Sequence, residues 1–182
     1  MKPFVYPEMM VHVPMCTHKD PQNILIISED DTFLQTELSR YGDVEGTTIL
    51  ASSALQSIRD LNDKHYDVVL CEASADAALL AHLSRVGKDD ALVSMVHPDL
   101  EDRDANTHLM QVLGNYYKII MPYHAAQQTL LLASKAYHPT ADFILHRTDM
   151  LEGQEYYNCD IHPAAFAMPN YIREAYWGII RN

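Results

Sequence analysis

Acidic residues follow two of the strand-like segments in this chain of 182 residues. Asp31 comes shortly after the apolar run 23–27, and Glu72 and Asp76 follow the run 67–71. A carboxylate in such a place can accept a proton from a reacting group. The same side chains can instead cap the helices that we expect to follow them. Both interpretations are open for all three acids.

The overall charge limits the classes of partner. The formal net charge is −12 at pH 7, whereas nucleic-acid binding needs a basic face, so we expect no nucleic-acid partner. An acidic chain is compatible with a cationic ligand. His12 and His18 lack the spacing of metal ligands, and we expect no metal site.

We expect neither a membrane-spanning helix nor a signal peptide. No apolar run approaches the roughly 20 residues that a membrane helix needs, which predicts no membrane partner. The first ten residues contain neither a sustained apolar segment nor a small-residue cleavage site. We therefore expect a cytoplasmic protein.

Apolar runs alternate with segments of helical periodicity. The runs 23–27, 47–51, 67–71 and 91–96 predict four strands of a parallel sheet. Helices are predicted between and after these strands, with a turn at 87–90 before the fourth strand; the predicted helices cover residues 32–41, 53–64, 75–86 and 104–114.

The pattern changes after residue 114. The runs 118–121 and 129–134 lie too close together for a crossover helix between them, so they should pair antiparallel. The tail from residue 160 predicts two short helices split at Pro169. This order of elements predicts an α/β fold, a doubly wound three-layer sandwich with an antiparallel C-terminal strand pair.

No composition shift or low-complexity linker divides the chain, and its length suits one domain. We therefore predict a single domain over residues 1–182. Within it, residues 1–20 form an N-terminal helical segment, residues 21–135 the sheet core, and residues 136–182 a closing segment.

Two segments resemble the spermidine synthase (polyamine aminopropyltransferase) family. Residues 6–27, YPEMMVHVPMCTHKDPQNILII, resemble the family's opening helix and first strand, and residues 156–169, YYNCDIHPAAFAMP, resemble its closing signature. YDVVL at 66–70 and LASK at 132–135 match two further strands in the right order. The resemblance implies a Rossmann-like fold of the S-adenosylmethionine-dependent methyltransferase type. It also implies that the family's small N-terminal β-domain is lacking, because only residues 1–5 precede the helix.

The resemblance implies an activity and a set of site residues. The family transfers an aminopropyl group from decarboxylated S-adenosylmethionine, a co-substrate and not a permanently bound cofactor, to the polyamine precursor putrescine. Glu72 stands where the family has its first catalytic aspartate, and Asp76 stands one place after the second. Tyr6, Asp31 and Tyr123 match positions that bind substrate or co-substrate.

The sequence also departs from the family. The family's run Gly-Gly-Gly-Asp-Gly-Gly is replaced by SEDDTF at 28–33, and Ala51 stands where a ribose-binding acid is usual if 47–51 is the second strand. Gln128 replaces a tryptophan of the amine site, and the interval 31–66 has room for one strand–helix unit where the family has two.

Two hypotheses on function follow from these matches and departures. The first is a spermidine-synthase-like aminopropyltransferase of polyamine biosynthesis. The second is a non-catalytic relative with a structural, regulatory or small-molecule-binding role. In either case we expect a homodimer.

Overall fold

The computed structural model describes residues 2–42 and 44–182, so Met1, at the start of the predicted segment 1–20, lies outside the described residues. The strands are β1 (Asn23–Ile27), β2 (Glu45–Ile49), β3 (Tyr66–Cys71), β4 (Gly87–Val96), β5 (Ile119–Ala125) and β6 (Gln128–Ser134). The helices are α1 (Val5–Thr17), α2 (Thr32–Leu38), α3 (Ala54–Ser57), α4 (Ala77–Val86), α5 (Arg103–Leu113), α6 (Leu145–Met150), α7 (Ile161–Ala164) and α8 (Asn170–Ala175).

The six strands form one sheet in the order β2-β1-β3-β4-β6-β5. Strands β1 to β4 pair in parallel, and β6 pairs antiparallel with both β4 and β5. The prediction of a doubly wound α/β fold with an antiparallel C-terminal strand pair is therefore confirmed. The carboxyl ends of the four parallel strands meet at one edge of the sheet, which is where ligands bind in such folds.

Strand β2 occupies the place of the second strand. It pairs directly with β1, and in the doubly wound order 3-2-1-4 the neighbour of the first strand is the second. The described residues contain no strand on the outer side of β2. Compared with the family that the sequence resembles, one strand–helix unit is absent between residues 31 and 66. It corresponds to the third strand of that order, at the edge of the sheet. The predicted bounds 47–51 were wrong by two residues, because pairing with β1 begins at Glu45.

The antiparallel pair is longer than predicted. Ala125 pairs with Gln128, so the connection has only the two residues Ala126 and Gln127. Ala126 takes a left-handed backbone conformation with φ of 54°, as a tight hairpin requires. This hairpin ends at the same edge of the sheet as the parallel strands, because β6 starts beside the end of β4, where Val96 pairs with Leu130.

The sheet is covered on both faces. Side chains alternate along the strands, so that Leu25 and Ile27 enter one apolar cluster with α3, α4, α5 and α8, and Ile24 and Ile26 enter the other with α1 and α2. The helix α1 is almost completely buried, since all its residues except Tyr6 have little exposed surface. Its position across the sheet brings Tyr6 to the carboxyl edge of the strands.

Several predicted helix and turn bounds were wrong. The segment 53–64 is not one helix but α3 flanked by 3-10 turns at Ala51–Ser53 and Ile58–Asp60. Only Ala54 and Ile58 of these turns are buried, so packing does little to extend the helix. The predicted turn at 87–90 belongs to β4, because Gly87 already has an extended backbone and pairs with Tyr66.

The closing segment 136–182 contains one helix before the predicted pair. Helices α7 and α8 lie on either side of Pro169, as predicted, but α6 lies before them. Arg147 of α6 donates hydrogen bonds to the carbonyl oxygens of Met15, His18 and Lys19, at 2.6, 2.6 and 2.8 Å, so α6 holds the end of α1. No helix among the described residues is long and apolar enough to cross a membrane.

Candidate functional site

Residues directly after β1, β3 and β4 meet at the carboxyl edge of the sheet. They are Ser28 after β1, Glu72 after β3 and His97 after β4. The chain passes from β1 to β2 on one side and returns to β3 on the other. The gap between β1 and β3 is therefore the topological switch point, the usual ligand crevice of this architecture.

Glu72 is the centre of a small polar cluster at the switch point. The hydroxyl of Ser28 donates a hydrogen bond to the Glu72 carboxylate, and the Glu72 backbone N–H donates to the Ile27 carbonyl oxygen at 2.8 Å. The phenol of Tyr6 lies beside the same carboxylate. Burial raises the pKa of Tyr6 well above its usual value, and the negative charge of Glu72 raises it further, so the phenol stays protonated. The structure thus brings Tyr6 and Glu72 together.

Two cavities adjoin this cluster, and both are lined by Val96 and His97. The first has a volume of about 580 Å³ and we name it the tyrosine cavity, since Tyr6 and Tyr171 line it. Asp99, Glu101 and the hairpin between β5 and β6 complete its wall.

The second cavity has a volume of about 630 Å³. We name it the loop cavity, since residues 72–76 of the loop after β3 form one of its walls. Its deeper lining is mostly apolar, with side chains from β4, α4 and α5: Leu80, Met95, Leu109 and Val112.

Asp76 lines the loop cavity and caps a helix at the same time. Its carboxylate accepts a hydrogen bond from the backbone N–H of Leu79 at 2.8 Å, at the first turn of α4. Such a cap stabilises a helix by satisfying an otherwise unpaired donor. The capping role anticipated from the sequence is therefore present, and Asp76 and Glu72 face the same cavity.

Asp31 lies on the β2 side of β1, away from Glu72. It precedes α2 without capping it through its side chain. Its carboxylate accepts hydrogen bonds from Thr48 at 2.6 Å and Gln35 at 3.0 Å, and these bonds lower the pKa of Asp31. Asp31 thus holds α2 to the edge strand β2, and it lines neither of the two cavities.

Tyr123 lies in the core. It is fully buried on β5, and its hydroxyl is 2.6 Å from that of Ser94 and donates to the Met9 carbonyl oxygen at 3.2 Å. Its ring packs on Phe166 with a centroid distance of 5.1 Å. Burial raises the pKa of Tyr123. The structure does not bring this residue into either cavity.

The loop that replaces the glycine-rich turn has its own hydrogen bonds. The Glu29 carboxylate accepts a hydrogen bond from the backbone N–H of Ser52, which links the loops after β1 and β2. Asp30 accepts bonds from the backbone and hydroxyl of Thr32, at 3.1 and 2.6 Å. Phe33 is 60% exposed, so its ring does not fill the crevice.

His97 is a site residue that the sequence reasoning missed. It is 5% exposed, lines both cavities, and neither ring nitrogen has a hydrogen-bond partner among the described residues. Burial lowers its pKa to about 4, so the ring is neutral at pH 7. The signal in the sequence that could have identified it is its position directly after a predicted strand.

A cluster of possible metal ligands lies at the opposite edge of the sheet. The Nε2 atom of His18 is 4.0 Å from the carboxylate of Asp67 and 3.7 Å from that of Asp90. The Lys88 ammonium group already lies 2.8 Å from Asp67. The backbone N–H of Asp20 donates to Nδ1 of His18, so a neutral ring carries its proton on Nε2. Both features oppose a metal ion, and we assign none to this cluster.

Comparison with known sequences points to one family. A family model described as the spermine/spermidine synthase domain matches residues 3–51. A polyamine aminopropyltransferase of Helicobacter acinonychis is 28% identical over 196 residues, which cover 92% of this chain and 74% of that protein. A polyamine aminopropyltransferase of Clostridium beijerinckii is 25% identical over 225 residues, covering 97% of this chain and 79% of its own length.

Comparison with solved structures supports the same fold. A spermidine synthase in complex with the transition-state analogue AdoDATO superposes with a TM-score of 0.83 at 19% identity, covering 95% of this chain and 75% of that one. The spermidine synthase of Thermotoga maritima gives a TM-score of 0.80, also at 19% identity, covering 95% and 74%. At this identity the structural likeness shows a shared fold.

Proposed function

We propose that this chain, which is similar to polyamine aminopropyltransferases, is itself an aminopropyltransferase that uses decarboxylated S-adenosylmethionine and putrescine. The observation that carries the proposal is the meeting of Tyr6 and Glu72 at the switch point, beside two cavities. An acid at this place can take up the proton that the reaction releases.

The two cavities suit the two substrates. The loop cavity is largely apolar and adjoins the switch point, which fits the nucleoside part of the co-substrate. The tyrosine cavity carries the carboxylates of Asp99 and Glu101, and no lysine or arginine is among its described lining residues. Negative side chains without cationic neighbours favour a cationic diamine there.

The reaction requires only proximity and one proton acceptor. The lone pair of a neutral primary amine attacks the propyl carbon bonded to the sulfonium. The new C–N bond forms as the C–S bond breaks, and its electron pair leaves with sulfur as methylthioadenosine. The nitrogen then gives up one proton, for which Glu72 is the proposed acceptor. Tyr6 orients the Glu72 carboxylate, and Asp76 holds the loop 72–76 at the start of α4.

Asp31 and Tyr123 have supporting roles in this proposal. Asp31 fixes α2 against β2 and so shapes the loop beside the switch point. Tyr123 contacts Met9 of α1 and so fixes the helix that carries Tyr6. Neither residue is proposed to touch the reacting atoms.

The first test is binding. Methylthioadenosine at millimolar concentration should raise the melting temperature, because a ligand that binds only the native state stabilises it by mass action. An unchanged melting temperature would refute the proposal. The second test is transfer to putrescine with Glu72→Gln, for which we expect a loss of roughly 100-fold in kcat with binding retained. The control is Glu45→Gln, an exposed acid at the start of β2, and it should leave the rate unchanged.

A non-catalytic role is the second candidate, and a specific observation favours it. Ser28 already bonds to the Glu72 carboxylate, and Glu29 already bonds to the Ser52 backbone. The first contact engages the carboxylate beside the loop cavity, and the second joins the loops after β1 and β2, so both stabilise the ligand-free fold. This role predicts no melting shift with either substrate and no transfer.

We further propose that the whole chain is one domain and forms a homodimer. Large apolar side chains on the tail are exposed, notably Trp177 at 86% and Tyr171 at 58%. Exposed apolar surface of this kind favours association. Size-exclusion chromatography with light scattering should give twice the chain mass of 20.7 kDa. A monomer mass at micromolar concentration would contradict this expectation.

A further inference from the structure

Two buried histidines with equally lowered pKa values differ in their partners. Burial lowers the pKa of both His97 and His162 to about 4. Nδ1 of His162 is 2.6 Å from the Tyr157 hydroxyl, and its Nε2 is 2.9 Å from the Pro139 carbonyl oxygen. Neither ring nitrogen of His97 has a partner in the described part of the chain. His162 is therefore a satisfied core residue, and His97 is not.

The position of His97 explains why its nitrogens are unpaired. Its backbone N–H donates to the Thr129 carbonyl oxygen at 3.2 Å, which fixes the residue between β4 and the hairpin. The side chain then lines both the tyrosine cavity and the loop cavity. A buried polar group without a partner destabilises the fold, so its retention at a cavity wall points to a ligand that completes its bonding.

The surroundings of His97 indicate the chemistry of that ligand. The ring is neutral at pH 7, so one nitrogen offers a lone pair without repelling a cation. In the tyrosine cavity the Asp99 and Glu101 carboxylates supply negative charge, and the Glu101 carboxylate accepts a hydrogen bond from the Tyr171 hydroxyl at 3.0 Å. A primary amine, which has N–H donors and carries positive charge when protonated, satisfies both features.

We propose that His97 is an amine-contacting residue, whose ring accepts a hydrogen bond from the reacting amino group and directs that nitrogen from the tyrosine cavity toward the loop cavity. The proposal rests on the proposed aminopropyltransferase function and adds to it the residue that orients the acceptor. The ring forms no covalent bond to the substrate and takes no proton in the reaction. His97 differs from Glu72 in this respect.

The direct test is a titration of the histidine ring nitrogens by NMR. Putrescine is added to the full chain labelled with nitrogen-15, and the signal of His97 is assigned by its loss in His97→Leu. We expect the His97 ring signals to move on addition of putrescine while those of His162 stay in place. Unchanged His97 signals at saturating putrescine, or equal movement of both rings, would overturn the proposal.

Stability and kinetics of His97→Leu give a second, independent measurement. Because the substitution removes an unpaired buried polar group, we expect a melting temperature equal to or above that of the native chain. The KM for putrescine should rise roughly 10-fold or more, as expected for one lost hydrogen bond to a charged ligand. The shift produced by methylthioadenosine should persist. An unchanged KM for putrescine, whatever the melting temperature, would overturn the contact.

The tests separate this proposal from the function on which it rests. If putrescine moves the His97 signals but no transfer occurs, the amine site stands and the transferase function fails. If transfer occurs with unchanged His97 signals, the function stands and the His97 contact is wrong. The matched variant is His162→Leu, which should lower the melting temperature because it breaks two buried hydrogen bonds.

Discussion

The carboxylate of Glu8 should be among the strongest single contributions to the stability of this chain. Glu8 is 1% exposed on α1 and accepts three backbone hydrogen bonds from the closing segment. The donors are the N–H groups of Glu155, Tyr156 and Tyr157, at 2.9, 2.9 and 2.7 Å. One side chain thus joins two segments that are about 150 residues apart in the sequence.

The expected cost of Glu8→Ala follows from those three bonds. A hydrogen bond to a charged group contributes about 1.5–3 kcal/mol. With all three bonds lost, and incomplete additivity taken into account, we expect a loss of about 4 kcal/mol in the free energy of unfolding. For a chain of this size that loss corresponds to a fall of roughly 8–16 °C in the melting temperature.

Urea denaturation followed by circular dichroism measures this loss, with two further variants for comparison. Glu8→Gln keeps the shape but turns an amide N–H₂ toward backbone donors, so it should lose roughly 2–3 kcal/mol. Glu155→Ala removes an exposed side chain next to the same contact, and should change stability by less than about 0.5 kcal/mol. A loss under about 1 kcal/mol for Glu8→Ala would refute the reasoning.

The remaining predictions concern a cap, a core hydroxyl and acid sensitivity. Asp76→Ala removes the α4 cap and should cost about 1 kcal/mol in denaturation. Tyr123→Phe breaks the hydroxyl contact with Ser94 and should cost roughly 1–2 kcal/mol while leaving the KM for putrescine unchanged. Because the folded-state pKa of His97 is about 4, below the unfolded value of 6.5, its contribution to stability is present above pH 6.5 and is lost as the pH falls toward 4. Between pH 4 and 6.5, His97→Leu should therefore reduce the slope of the free energy of unfolding against pH by up to about 1.4 kcal/mol per pH unit. Denaturation at several pH values measures this slope. An unchanged slope would contradict the lowered pKa of His97.

The sequence alone was enough to predict a parallel sheet that ends in an antiparallel strand pair. Strands β1 and β3 are buried on both faces, so their residues form continuous apolar runs such as Asn23–Ile27 that are visible without a structure. The interval between β5 and β6 excluded a crossover helix and so required antiparallel pairing. Edge strand β2 is mostly exposed, which is why its bounds were misplaced.

The position of each candidate site residue depends on contacts between distant parts of the chain. Tyr123 and Tyr6 are the same residue type, yet their surroundings differ. Met9 of α1 packs over Tyr123, whereas the start of the same helix carries Tyr6 to a cavity. The Asp31 carboxylate accepts a hydrogen bond from Thr48 because β2 lies beside β1. No local pattern contains such information, since it depends on which elements pack together.

The acids at the carboxyl ends of the strands illustrate the division between sequence and tertiary structure. Residue type and spacing alone placed Glu72 and Asp76 at the end of a buried strand before a helix, since hydrophobic periodicity marks both elements. Only the folded chain brought Ser28 and Tyr6 to Glu72, and left the ring of His97 unpaired between two cavities. The reason is physical: periodicity is a local property of the backbone, whereas a site is formed by side chains that meet only after the sheet and helices have packed.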